Sequence, residues 1–328
     1  MPTIFDRICS ELHLGPMTGE PLPLSGGYTH RMYALTTTQG RYAVKHLNPE
    51  IMRRPDAPGN YRRAEGFEAL LEARGLPILP ALTIGGRKLH CVDGQHLYVF
   101  DYYAGRVLTD AEITPAHCAR IGDALARIHA CARRELPHAP EIPAPIDWPA
   151  LTDALLACPE THAEGEALYA ALPMLEHATR AAADAAQRLP RMEALCHNDM
   201  DPKNVLSQGD DFRIIDLECL DYANPAQELL DLAIAWAGAA PDKARFRALL
   251  QAYRAAGGEP LTDAAAVYDS RRNYLDWLAY NARRALSGET QEQQTARAQI
   301  TATIDKIACD QRNRAQLLRW IREANDHA

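Results

Sequence analysis

One stretch constrains this chain more than any other. Cys196-His197-Asn198-Asp199-Met200-Asp201-Pro202-Lys203-Asn204-Val205-Leu206 is followed by Phe212-Arg213-Ile214-Ile215-Asp216-Leu217-Glu218. Short apolar runs end at Cys196 and resume at Val205, with a polar loop between them. Ser207 to Asp211 carries turn residues, so Val205-Leu206 and Phe212 to Ile215 read as two strands of a hairpin. That hairpin delivers Asp216 beside Asp199 and Asn204, which lie five residues apart. Phosphoryl transfer uses this spacing: one Asp orients and deprotonates a hydroxyl, while an Asn and a second Asp hold Mg²⁺ on nucleotide phosphates. Carboxylate and amide oxygens are the hard ligands that Mg²⁺ prefers.

His-Asn-Asp-x-x-x-x-Asn followed by Ile-Asp-Leu-Glu resembles the catalytic and metal-binding segments of the aminoglycoside phosphotransferase and choline kinase group. These are small-molecule kinases with a protein-kinase-like fold. The resemblance implies an α+β, two-lobed architecture: a small antiparallel-sheet lobe over residues 1–100 and a larger, mainly helical lobe over 101–328, with a hinge about 99–105. It implies ATP (or GTP) and Mg²⁺ as cofactors, Asp199 as the catalytic base, and Asn204 and Asp216 as metal ligands. The phosphate acceptor it implies is a small, cationic hydroxyl compound, aminoglycoside-like or choline-like. Asn198 and Glu218 match the choline kinase side of the group. His197 is expected to buttress the loop, and the role of Lys203 stays open between γ-phosphate and solvent.

In the first lobe, Leu22 to Leu35 reads as strand, glycine turn and strand, with Gly26 and Gly27 at the tip. Glycines there let backbone N–H groups approach phosphate. Arg41 to Leu47 is the next strand, and Tyr42-Ala43-Val44-Lys45 resembles the kinase strand whose lysine binds the α- and β-phosphates. The helix Tyr61 to Gly75 offers Glu65 as the acid that holds Lys45, with Glu68 one turn later as the runner-up. Tyr98 to Leu108 resembles the link between kinase lobes, where the backbone of Phe100, Asp101 and Tyr102 contacts adenine.

In the second lobe, Thr114 to Ala132 is helical by period, and His129 on its apolar face reads as a buried structural residue. Leu151 to Gln187 is helical with breaks near Pro159 and Pro173. Asn224 to Ala233 resembles a helix whose acid, Asp231, braces the catalytic loop; Asp231 and Glu218 also belong to the acceptor candidates. Tyr268, Tyr274, Trp277 and Tyr280 lie in one helical run, 269–286. Tyr274 and Trp277 are either a cation–π wall for the acceptor or a packing stripe. Nine acids and two bases lie between Asp199 and Asp231, a balance that attracts ammonium groups.

Composition narrows the rest. A net charge of −8 argues against nucleic acid. Met1 to Leu14 has an amphipathic pattern rather than that of a signal peptide, and no apolar run reaches membrane-spanning length. The eight cysteines show no Cys-x-x-Cys pair, consistent with free thiols in the cytoplasm. Oligomeric state leaves no mark in the sequence. Two rival readings stand beside the small-molecule kinase. One is a nucleotide-binding pseudokinase, against which the lysine, base and metal ligands all count. The other is a protein kinase, whose Asp-Phe-Gly and Ala-Pro-Glu signatures are missing.

Overall fold

The computed structural model describes residues 3–24, 30–137, 144–287 and 290–326; Gly26 and Gly27 lie outside them. The chain opens with α1 (Ile4–Glu11), then β1 (Leu22–Leu24), β2 (Arg31–Thr36), β3 (Arg41–His46), α2 (Pro49–Met52), α3 (Ala57–Ala73), β4 (His90–Val92) and β5 (Gln95–Asp101). It continues with α4 (Pro115–His129), β6 (Arg133–Glu135), α5 (Trp148–Ala157), α6 (His162–Ala186), β7 (Met192–Cys196), β8 (Val205–Gln208), β9 (Asp211–Ile214) and β10 (Asp221–Ala223). Five further helices close the chain: α7 (Pro225–Ala237), α8 (Lys243–Ala255), α9 (Ala264–Asp269), α10 (Asn273–Ser287) and α11 (Thr290–Asp326).

The first lobe is one antiparallel sheet of order β1-β2-β3-β5-β4. Its inner face packs on α1: Leu35, Val44, Leu97 and Val99 bury against Ile8, Cys9 and Leu12. The alternation along β3 places Val44 in that core and turns Lys45 to the other face. Thr3 caps α1 in a capping box with Asp6, which closes two backbone donors at that end. The larger lobe has two apolar clusters. One joins α3, α4, α7 and α8 to the β8–β9 hairpin through Leu71, Leu125, Leu195, Val205, Ile214, Leu230 and Phe246. The other joins α5, α6, α10 and α11 through Trp148, Leu168, Leu278 and Ile300. At the α4–α8 crossing, a Cβ on Gly122 would stand 2.2 Å from the Leu249 carbonyl oxygen, so only glycine permits that approach.

Two expectations change. Pro173 does not break α6, which runs through it for 25 residues. The buried Leu168, Ala171 and Leu175 on either side offset the lost hydrogen bond. Tyr268 and Tyr274 lie on different helices, because Arg271 turns inward between α9 and α10 to reach Asp231 and Asp310. The closing segment is one long helix, α11.

Candidate active site

The loop after β7 positions the first group. Asn198 adopts the left-handed region at φ 65°, which Asn tolerates better than most residues. Its side chain donates to the Cys219 carbonyl at 2.8 Å, and its backbone N–H donates to Glu228 Oε1 at 2.6 Å. This turn projects Asp199. Asn204 Nδ2 donates to the Asp199 carbonyl at 2.7 Å and to its Oδ2 at 2.9 Å. Lys203 Nζ donates to Asp199 Oδ1 at 2.6 Å.

His197 ties this loop to the next strand. The Asp199 N–H donates to Nδ1 at 3.2 Å, so the ring proton sits on Nε2, which meets the Ile215 carbonyl at 3.0 Å. The Ile215 N–H in turn donates to the Asn204 carbonyl at 3.0 Å. Asp199, Asn204 and the backbone just before Asp216 thus form one hydrogen-bonded unit. Asp216 itself is left-handed at φ 66°, a turn that aims its carboxylate at Lys45.

Lys45 is buried and donates to Asp216 Oδ1, with Glu218 Oε1 at 2.5 Å. Burial opposes its charge, but Glu218 and Asp216 outweigh burial and hold the ammonium above its usual range. Burial also opposes the Asp216 charge, yet Lys45 keeps this carboxyl below the usual range. Glu218 goes the other way. Burial, reinforced by Asp216 and only partly opposed by Lys45, pushes it up to about 8. One ammonium does not balance two buried carboxylates.

These oxygens fit a divalent cation. The buried Glu218 carboxylate meets the Lys45 ammonium through Oε1, and its Oε2 has no hydrogen bond among the described residues. Asn204 points its amide N–H groups at Asp199, which leaves its oxygen as the end able to ligate. With Asp216 this is an all-oxygen donor set suited to Mg²⁺, which takes few protein ligands when phosphate and water complete its shell.

The acid expected to hold Lys45 is elsewhere. Glu65 Oε1 accepts from Tyr98 Oη at 2.9 Å and from the Leu89 N–H at 3.1 Å. The runner-up, Glu68, accepts from the Ala81 N–H at 2.8 Å and from Lys88. Both acids on α3 therefore fasten that helix to the sheet edge, and the partners of Lys45 come from the Asp216-Leu217-Glu218 turn. At the link between lobes, Phe100 pairs with Ala43 in the sheet. Asp101 ends β5 and pairs with Tyr42. The Tyr102 N–H donates to the Arg41 carbonyl at 3.0 Å, and Arg41 lies 3.7 Å over the Tyr102 ring.

Another reassignment concerns α7. Glu228, not Asp231, holds the loop that carries Asp199: its Oε1 takes the Asn198 N–H and its Oε2 meets His129 Nε2 at 2.7 Å. His129 is fully buried and its Nδ1 meets Tyr253 Oη at 2.9 Å. Asp231 lies one helical turn on. It accepts from Arg271 Nη1 at 3.1 Å and from Asn273 Nδ2 at 3.2 Å. Burial pushes its carboxyl up to about 6 against the pull of Arg271.

On the side of Asp201, Tyr274 of α10 and Lys306 of α11 lie close enough to interact electrostatically with its carboxylate. Trp277 stacks on Tyr280 at 5.6 Å and donates to Gln299 Oε1 at 3.3 Å, which seats it against α11. Tyr274 carries a cation already: Lys306 Nζ lies 4.5 Å from its ring centroid. Sequence reasoning missed Glu228 as the brace, Lys203 as a partner of Asp199, and Lys306 altogether. Lys306 lies 107 positions from Asp199, the difference between 306 and 199, with no motif around it.

Residues 20–268 match the phosphotransferase enzyme family. The chain is 31% identical over 259 residues to a homoserine kinase from Methylobacillus flagellatus, covering 74% of this chain and 73% of that protein. Among solved structures it resembles a spectinomycin phosphotransferase in complex with ADP and spectinomycin, with a TM-score of 0.71 at 12% identity, covering 93% of this chain and 97% of the other. It also resembles a choline/ethanolamine kinase family protein from Mesorhizobium loti, with a TM-score of 0.58 at 19% identity, covering 98% of this chain and all of the other, 100%. No described helix is long and apolar enough to cross a membrane.

Proposed function

The chain belongs to the phosphotransferase enzyme family, and from that footing we propose that it moves the γ-phosphoryl group of ATP, with Mg²⁺, to the hydroxyl of a small amino compound. Homoserine is the first candidate acceptor, because a homoserine kinase is similar to this chain over about three quarters of its length, 74%. The observation that supports this most is the unit formed by Asp199, Asn204 and Asp216, with Lys45 facing it from the other lobe.

Asp199 takes the proton of the acceptor hydroxyl as that oxygen attacks the γ-phosphorus, and the bond to the β–γ bridging oxygen breaks. Each carboxylate oxygen has two acceptor sites, so the bonds from Lys203 and Asn204 fix the carboxylate and still leave it room for the hydroxyl. Asn204, Asp216 and Glu218 would hold Mg²⁺, which supplies neutralising charge to the phosphates. Lys45, already gripped by Asp216 and Glu218, is placed to take phosphate oxygens from the nucleotide. The backbone of Phe100 to Tyr102 is proposed to face adenine, with the Tyr102 N–H committed to Arg41. Catalysis of this kind is mostly positioning and charge neutralisation.

ADP release with Mg²⁺ and ATP, or GDP release with GTP in its place, tests the reading against homoserine, choline, ethanolamine and an aminoglycoside. Homoserine is expected to give the highest kcat/KM. Absence of acceptor-dependent ADP release across the whole panel would refute the reading.

A further inference from the structure

The acceptor end of the cleft is not simply acidic. Arg271 is buried between Asp231 at 3.1 Å and Asp310 at 3.4 Å, and its guanidinium lies 4.1 Å over the Tyr268 ring. That cation is fully engaged and holds α7, the α9–α10 turn and α11 together. Lys203 is likewise engaged, on Asp199 at 2.6 Å and toward Asp201 at 4.0 Å. Lys306 differs from both. It is exposed, lies over Tyr274, and among the described residues has no ion-pair partner within 4.0 Å. It nevertheless acts electrostatically on Asp310, four residues on along α11, and on Asp201, two residues from the proposed base.

Among the described residues, Lys306 is thus a cation without an ion-pair partner, with a loosely paired carboxylate, Asp201, in its field. An acceptor with a single positive charge, such as a plain amino alcohol, gives Lys306 no counter-charge and is repelled by it. An acceptor with both an ammonium and a carboxylate satisfies both groups. Resting on the proposed kinase reading, we infer that Lys306 of α11, presented across the Tyr274 ring, binds the carboxylate of the acceptor and makes this a site for hydroxyl-bearing amino acids. Asp201 takes the acceptor's ammonium, and the hydroxyl then reaches Asp199. Tyr274 is a platform for the lysine stem and head rather than a wall for the substrate's own cation.

Two acceptors that differ only in the carboxylate test this: homoserine and 3-amino-1-propanol. Both are assayed as phosphorylated product by mass spectrometry, with wild type, Lys306→Met and Lys306→Arg. Wild type is expected to favour homoserine in kcat/KM by about 100-fold, the scale of one to two charge-assisted hydrogen bonds. Lys306→Met is expected to raise the KM for homoserine about 30-fold, the loss of one such bond, with kcat and the thermal midpoint unchanged and the KM for 3-amino-1-propanol equal to or below that of wild type. Lys306→Arg restores most of the homoserine KM. An unchanged homoserine KM in Lys306→Met, or equal losses on both acceptors, overturns the inference. Wild-type turnover of other hydroxyl compounds but not of homoserine overturns it too, while leaving the kinase reading intact. Failure to turn over any acceptor removes both.

Discussion

Glu228 accepts the backbone N–H of Asn198 at 2.6 Å, immediately before the proposed base, while its other oxygen meets the buried His129 at 2.7 Å. One carboxylate thus links the C-terminal end of α4 to the left-handed turn that aims Asp199. Without it, the Asn198 N–H and His129 Nε2 lose their shared carboxylate, while His129 Nδ1 keeps Tyr253. Glu228→Ala is expected to lower kcat about 100-fold, the effect of a small misplacement of a reacting group. Steady-state kinetics at saturating acceptor check this, and a kcat within a few-fold of wild type counts against it.

The same pair gives a pH dependence with a definite sign. Burial alone would raise the Glu228 carboxyl, but the hydrogen bond and charge of His129 and the Asn198 N–H outweigh it and hold it below its ordinary value of 4.5. A carboxyl lowered on folding contributes stability above its unfolded value, and that contribution is lost as pH falls through the folded value. Thermal midpoints of wild type are therefore expected to drop as pH falls below 4.5. Those of Glu228→Gln should be lower near neutrality and fall less steeply in the acid range. Parallel curves for the two proteins would contradict the assignment.

Lys45 offers a test of which acid serves it. Glu218 lies 2.5 Å from its ammonium, whereas Glu65 is occupied by Tyr98 and Leu89. Glu218→Gln is expected to cut kcat/KM for ATP about 100-fold, as a small misplacement of the Lys45 ammonium at phosphate does. Glu65→Gln should stay within about 3-fold of wild type. The reverse ranking would restore Glu65 to the role its sequence position suggested.

Those two cases show where the sequence was legible. The Asp199-to-Asn204 spacing lies within one loop, so local chain geometry dictates that the two side chains meet. Asp216 follows from the hairpin that any reader of Val205 to Ile215 would draw. The partner of Lys45 is 173 positions away, the difference between 218 and 45, and only packing of one lobe on the other brings it there. Asp231 and Glu228 are three residues apart on α7 and share a face, so periodicity cannot choose between them; the depth of the Asn198 N–H does. Tyr274 and Trp277 fitted packing and recognition equally well until α11 placed Gln299 and Lys306 against them.

The crossing of α4 and α8 is a test of the fold itself. A Cβ at Gly122 would meet the Leu249 carbonyl at 2.2 Å, and backbone cannot move aside as a side-chain tip can. Gly122→Ala is expected to cost about 3 kcal/mol and to lower the thermal midpoint by roughly 5–10 °C. A thermal melt that matches wild type would mean the helices do not approach this closely.

The most direct test of the proposed chemistry is phosphoryl transfer from ATP to homoserine by Asp199→Asn, measured beside nucleotide binding in the same preparation. Removal of the base is expected to lower kcat by about 10³-fold, with ATP affinity unchanged. Turnover at the wild-type rate would contradict the role given to Asp199.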